Sequence, residues 1–425
     1  MTELIDAARL DLPALLRPGD RLVCGQGTAE PLTLTRRLVE AAATVGPLEL
    51  FVGPLFSNTF TPQTLHGAAL RLKGYGAMGA GSRLWAAGLL DVVPEHYSAL
   101  NAAFASGARG ADVVLLQAAP PQAGGGYSLG LVNDYAAQAA RHARLVIVEV
   151  NSDVPWTHDA PLPEGLANVL FVAAETHAPL DVPPTAMGAT EAAIAAHVAE
   201  LVPERATLQI GIGAVPDTVL AALGQHRDLG LHSGVIGDRA VELIEAGIVT
   251  NAHKSIDAGL TVTNAVFGTQ LARRHVHANP GIRVRPARYT HGREVLASID
   301  RLVTVNSALE VDLSGQANTE MAGGAYVGGT GGLMDFARAA RLSRGGRSII
   351  ALPATARKGT VSRIVPRLAN VTLPKSDADV VVTEHGVADL RGLSLAERAG
   401  RMIAIADPAF REELERAYRE AQPHA

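Results

Sequence analysis

The chain has a single cysteine, Cys24, so no intramolecular disulfide can brace it. In the apolar string Leu22-Val23-Cys24 the thiol reads as a small core hydrophobe rather than a nucleophile. Aromatic residues are scarce, 4% against a hydrophobic content of 48%, so the core must be built from Ala, Val, Leu and Ile. No uncharged apolar run reaches the ~18 residues of a membrane helix. The opening Met1-Thr2-Glu3-Leu4-Ile5-Asp6 lacks the basic-then-apolar order of a secretory signal. The 37 basic and 42 acidic residues are interspersed, for a net charge of −5, and no Lys/Arg run forms a nucleic-acid footprint. A cytoplasmic protein is expected, with neither nucleic acid nor membrane as partner. The 14 histidines contain no HxxxH pair or Cys-His cluster, so no metal is expected, and His275 and His277 read as solvent-facing. No hydrolase-type nucleophile elbow is expected either.

What is present is glycine, 43 residues of it, between short aliphatic runs. Such runs at 21–24, 48–52, 112–116 and 145–150 read as buried parallel strands, and helical spacing fills 32–43 and 133–143. A chain of 425 residues is too long for one core. The expected fold class is α/β: two α/β domains of related plan, each a mostly parallel sheet flanked by helices, with the active site in the cleft between them. Three prolines within 177–188 mark the linker, which divides the chain into 1–182 and 183–425, with a helix from 190 to 201. An internal repeat supports the related plan. Cys24-Gly25-Gln26-Gly27 and Ile210-Gly211-Ile212-Gly213 each end a strand in Gly-x-Gly, and each has a proline (Pro31, Pro216) near the next helix start.

Three stretches carry candidate chemistry. The Gly211–Gly213 turn lets backbone N–H groups approach an anionic ligand, but it lacks the full dinucleotide fingerprint. Residues 323–336 hold six glycines within 323–332, a backbone nearly bare of side chains and suited to close passage of a ligand or of another backbone. Lys358 follows in a basic loop and could pair with a phosphate. In residues 306–316, Glu310 and Asp312 alternate with apolar neighbours and would share a strand face or anchor a turn.

Taken in order, several strings resemble the acetyl-CoA hydrolase/CoA-transferase family, which includes the 4-hydroxybutyrate and butyrate CoA-transferases. In the first half these are Leu116-Gln117 with Pro120-Pro121 and Gly126-Tyr127-Ser128-Leu129-Gly130. In the second half they are Gln209 to Gly213, Leu229-Gly230-Leu231-His232-Ser233, Glu245-Ala246-Gly247 with Asn251, residues 306–316, the glycine-rich loop, and residues 362–366, 382–392 and 404–411. The resemblance covers nearly the whole chain. It implies an enzyme that takes acyl-CoA and small carboxylates as substrates, uses coenzyme A without a metal, and forms a homodimer or higher homo-oligomer. It further implies that Gly211, Ile212, Gly213, Ala214, Val215, Leu309, Gly331 and Gly332 lie against the coenzyme, with Lys358 a further contact.

One position departs from the family. Members carry a nucleophilic glutamate directly after the His-Ser or His-Thr pair; here His232-Ser233 is followed by Gly234. A covalent glutamyl thioester cannot form at a residue with no side chain. Three readings follow. Another carboxylate acts in its place, with Asp238 and Glu30 as candidates, while His232 could orient an acid or polarise a carbonyl. Alternatively, the acceptor acid, or a water, attacks the thioester directly, giving a transferase of non-standard route or a thioesterase. Finally, the chain is a catalytically inactive acyl-CoA-binding paralogue.

Overall fold

The computed structural model describes residues 4–122, 125–175 and 177–421. The aliphatic runs assemble into two eight-stranded sheets. Across the first sheet the strands run Leu4–Asp6, Val169–Ala173, Leu145–Val150, Val113–Ala118, Arg21–Cys24, Leu48–Val52, Leu70–Gly74 and Leu90–Val92, all parallel. Val113–Ala118 and Leu145–Val150 are buried at every position, which is why they are almost uniformly apolar. The second sheet runs Ile282–Val284, Thr261–Val266, Gly230–Ile236, Thr207–Ile210, Leu302–Asn306, Arg347–Ala351, Val380–Thr383 and Gly386–Asp389. Only its last edge strand is antiparallel.

The two sheets share one plan. In each, the strand that ends in Gly-x-Gly is central; the next three strands in sequence extend to one side and later strands to the other. Each sheet therefore has a switch point at its centre, where an open α/β sheet offers a crevice beyond the carboxyl ends of its strands. The core is continuous across the pair: Val114 and Leu116 of the first sheet belong to the same buried cluster as Leu208 and Val305 of the second.

Local chemistry sets the element ends. The strand expected at 112–116 is Val113–Ala118, because Asp112 accepts from the Arg21 backbone N–H and guanidinium at its start. The helix expected over 133–143 begins at Tyr135, where Asp134 accepts from Ala136 N–H, and tightens after Ala139 into a 3-10 turn, Ala140–His142. The helix expected over 32–43 continues to Val45 and stops at Gly46, whose φ is 110°. Residues 177–188 contain no helix or strand, and Ala189–Leu201 is helical. Glu310–Asp312 is a three-residue strand. There Asp312 anchors a turn by accepting from the N–H groups of Ser314 and Gln316, while Glu310 accepts from Asn318 Nδ2. No helix among the described residues is long and apolar enough to cross a membrane.

The glycine-rich segment ties the second lobe to the first, backbone against backbone. Ala77 N–H donates to Gly328 O (2.7 Å), and Tyr97 N–H donates to Gly331 O (2.9 Å). A Cβ on Gly76 would lie 2.6 Å from Gly328 O, and one on Gly329 would lie 2.9 Å from Tyr75 O. Side chains here would force the lobes apart.

Candidate active site

The two switch points face each other across a cavity of about 220 Å³. From the first lobe come Gln26, Tyr75 and Tyr97. From the second come Gly211 and Ile212, Gly234, Asn264, His291, the Gln209–Asn306 pair and the loop through Gly331, Gly332 and Phe336. Among the described residues no aspartate or glutamate borders this cavity, and its titratable side chains are Tyr75, Tyr97 and His291.

Most of the polar wall is already paired. Tyr75 Oη donates to Gln26 Oε1 (2.7 Å), Gln26 Nε2 to Tyr97 Oη (2.7 Å), and Tyr97 Oη to Asn264 Oδ1 (2.8 Å). Gln209 and Asn306 exchange amide hydrogen bonds at 3.1 and 3.0 Å. Burial pushes both tyrosines up, so they stay neutral donors. Beneath Gln26, Asp134 accepts from its backbone N–H, and burial raises that carboxyl to about 7.

His291 is held differently. Its ring lies between Tyr97 and Phe336, with centroids at 4.8 and 4.7 Å. Its edge rests directly on two glycines. A Cβ on Gly234 would lie 2.9 Å from His291 Nε2 and 3.1 Å from Cε1, and a Cβ on Gly332 would lie 2.7 Å from both Cδ2 and Nε2. Nδ1 pairs with Thr290 Oγ1 at 2.9 Å, while Nε2 has no hydrogen-bond partner among the described residues. Burial, and secondarily His232, lowers its pKa to about 3, so the imidazole is neutral at physiological pH.

Strand alternation places His232 and Gly234 on one face of Gly230–Ile236, under the Thr290-His291 pair. His232 is fully buried and its Nε2 donates to Thr290 O (3.1 Å); burial, then Lys254, lowers it to about 3. It does not border the cavity. Ser233, on the opposite face, bonds both the N–H and C=O of Ile210.

The other residues singled out from sequence are dispersed. Glu30 is 2% exposed and does not border the cavity; its Oε1 accepts from Thr35 and Ser57 hydroxyls at 3.0 Å each, and burial raises its pKa. Asp238 begins a helix and caps the next one, accepting from Thr269 N–H (2.9 Å) and Ala272 N–H (3.2 Å). It borders an adjoining hollow that shares Ile210, Gly211, Ile212, Val235 and Phe267 with the cavity and also contains Gly213. Val215 is buried in the helix Ala214–Ala222. Leu309 is half-buried outside the cavity, its N–H donating to Asn318 O. Lys358 is exposed in a hairpin turn, also outside the cavity. His275 is not a solvent-facing group: it pairs with Glu245 at 3.0 Å, whereas His277 is exposed and accepts from Trp156 N–H. Residues 126–130 do spell Gly-x-Ser-x-Gly, contrary to the expectation of no elbow motif. Ser128, however, is buried in an extended segment and donates to Thr157 O, so it forms no nucleophile elbow. No group of three or more His, Cys, Asp or Glu close enough to hold a metal occurs among the described residues.

Sequence reasoning missed Tyr97 and His291, which lie in no repeated pattern and reach the site only through tertiary packing. The neighbouring glycines, 234 and 332, were the legible trace of the imidazole they accommodate.

Two doubly wound sheets meeting at their switch points, with bare glycine backbone between them, define a two-lobed α/β protein with a cavity at the lobe junction. The Acetyl-CoA hydrolase/transferase family matches at its N-terminal domain over residues 82–163 and its C-terminal domain over 268–418. Similarity to the 4-hydroxybutyrate coenzyme A transferase of Clostridium kluyveri reaches 39% identity over 330 residues, 77% of each chain. The crystal structure of RipA from Yersinia pestis superimposes with a TM-score of 0.85 at 33% identity, covering 95% of this chain and 94% of that one. The 4-hydroxybutyrate CoA-transferase of Porphyromonas gingivalis gives a TM-score of 0.79 at 30% identity, covering 99% and 98%. The chain belongs to the acetyl-CoA hydrolase/transferase family.

Proposed function

We propose that this protein moves CoA between an acyl-CoA and a small carboxylic acid, with both substrates meeting at Gly234 and no covalent enzyme–CoA intermediate. The observation that carries this reading is the cavity wall: glycine at position 234 and no carboxylate along it among the described residues. A volume of about 220 Å³ is smaller than the roughly 300–1,000 Å³ of sites for drug-sized ligands, which suits a thioester end and a short acid. Glycine main chain at 211, 331 and 332 leaves room for the pantetheine arm.

The wall also favours transfer over hydrolysis. A carboxylate acceptor is already ionised at neutral pH and needs no base, whereas water needs one. The one imidazole present is a very weak base at a pKa of about 3.

Initial rates with a short acyl-CoA against a series of small carboxylates test the reading. Intersecting double-reciprocal plots, with no CoA adduct in the intact-protein mass, are expected. Parallel plots with an adduct would place a nucleophile on the protein, and thioester loss independent of the acid would make the protein a thioesterase. Tight CoA binding without turnover would make it a binding protein.

A further inference from the structure

We propose that His291 is a catalytic hydrogen-bond donor of this site: its neutral imidazole presents Nε2–H between Gly234 and Gly332 to the thioester carbonyl oxygen of bound acyl-CoA. The inference rests on the reading that acyl-CoA binds in this cavity.

The tautomer follows from the surrounding bonds. Thr290 is fully buried, and the one partner of its hydroxyl among the described residues is His291 Nδ1. A hydrogen on Nδ1 would leave the hydroxyl proton without an acceptor in a dry site. The hydroxyl therefore donates to Nδ1, and the ring hydrogen sits on Nε2. Thr290 is held in turn by His232, whose Nε2–H donates to the Thr290 carbonyl. The result is a directed series, His232 to Thr290 to His291, that ends in an unpaired N–H at the cavity wall. His232 and Thr290 are positioning residues; His291 touches substrate.

Two glycines make this possible. A Cβ at 234 or 332 would collide with the Nε2 edge, and Tyr97 and Phe336 pack against the ring at centroid distances of 4.8 and 4.7 Å. The low proton affinity of the ring keeps it a neutral donor, a fixed dipole that needs no proton movement during reaction.

The chemistry balances without a proton. An acceptor carboxylate oxygen attacks the thioester carbon, and the carbonyl oxygen gains charge against Nε2–H. Collapse forms the mixed anhydride as the C–S bond breaks, releasing CoA thiolate. The thiolate then attacks the acceptor's carbonyl carbon of the anhydride, forming the new thioester and expelling the donor as its carboxylate.

Two measurements on the full chain decide the matter. In protein labelled with ¹⁵N-histidine, with the His291 signal assigned by its loss in His291→Gln, Nε2 should be pyrrole-type and Nδ1 pyridine-type. Thr290→Val should mix the tautomers. The opposite tautomer in the wild type overturns the proposal. The second uses a ¹³C-carbonyl acyl-CoA analogue in which CH₂ replaces the thioester sulfur. Its bound carbonyl stretch should fall to lower wavenumber in the wild type but not in His291→Ala. Calorimetry should show His291→Ala binding CoA within about threefold of wild type, while its turnover falls about 10²-fold and His291→Gln recovers part of the loss. Binding with no carbonyl shift overturns the role of His291 alone; no binding of the analogue or of CoA overturns the functional reading with it.

Discussion

Gly234→Ala adds one methyl group where the cavity wall meets the His291 ring. The backbone there needs no positive φ, so the cost is steric alone. The new Cβ would sit 2.9 Å from His291 Nε2 and 3.1 Å from Cε1, well inside the ~3.5–4.0 Å of a comfortable carbon contact. Gly332 lies against the same edge of the ring, and Tyr97 and Phe336 pack beside it at tilted angles, so the added methyl must displace a packed ring. Overpacking of this kind costs about 1–3 kcal/mol. In a His291→Ala background the obstruction is gone and the same substitution should cost close to nothing. Urea unfolding of wild type, both single variants and the double variant measures the coupling as midpoint shifts at constant m-value. Costs that add to within about 0.5 kcal/mol would refute the contact. The same geometry bears on Gly234→Glu. The family resemblance makes it the substitution that would supply a nucleophile, but its side chain would have to enter against the His291 ring. A CoA adduct is expected from Gly234→Glu combined with His291→Ala, and not from Gly234→Glu alone.

Stability should fall in acid for a specific reason. His232 and His291 have a pKa of about 3 when folded, against 6.5 for the free side chain. Below 6.5 the unfolded chain binds protons that the native state refuses, so stability is full above that pH and declines as pH falls toward 3. The slope is on the order of 1 kcal/mol per pH unit for each histidine. His291→Gln should shallow the fall in urea midpoint between about pH 6 and 4, and an unchanged slope would contradict the assignment. Glu30→Gln should leave turnover within about threefold of wild type, because Glu30 lies outside the cavity. Asp238→Ala should lower stability by about 1–2 kcal/mol, through loss of the cap on Thr269 and Ala272, with a comparably small effect on turnover. A loss of about 10²-fold in either would return that carboxylate to the chemistry.

How far the sequence disclosed this site depended on the range of the interactions involved. The two Gly-x-Gly turns were legible because turn chemistry is local, and both deliver a residue to the cavity, Gln26 and Ile212. The bare loop over 323–332 was legible as a place of close approach. That its approach is partly to the backbone of Gly76 could be learned only from the fold. Glu30 and Asp238 were plausible acids from their positions near turns and helix starts, yet those same positions are where carboxylates serve as caps and buried anchors. His232 carried a visible motif and reaches the site through Thr290. His291, with no motif, touches the cavity itself, because its place is fixed by two glycines and two aromatic rings that are far apart in the chain.

The central claim is that thioester chemistry at Gly234 proceeds without a carboxylate of the protein. A crystal structure with a short acyl-CoA bound tests it most directly. The thioester carbon should lie against Gly234 with its oxygen toward His291 Nε2, and no aspartate or glutamate of the chain should come within the about 3–3.5 Å of a near-attack contact. A side-chain carboxylate at that distance from the thioester carbon would contradict it.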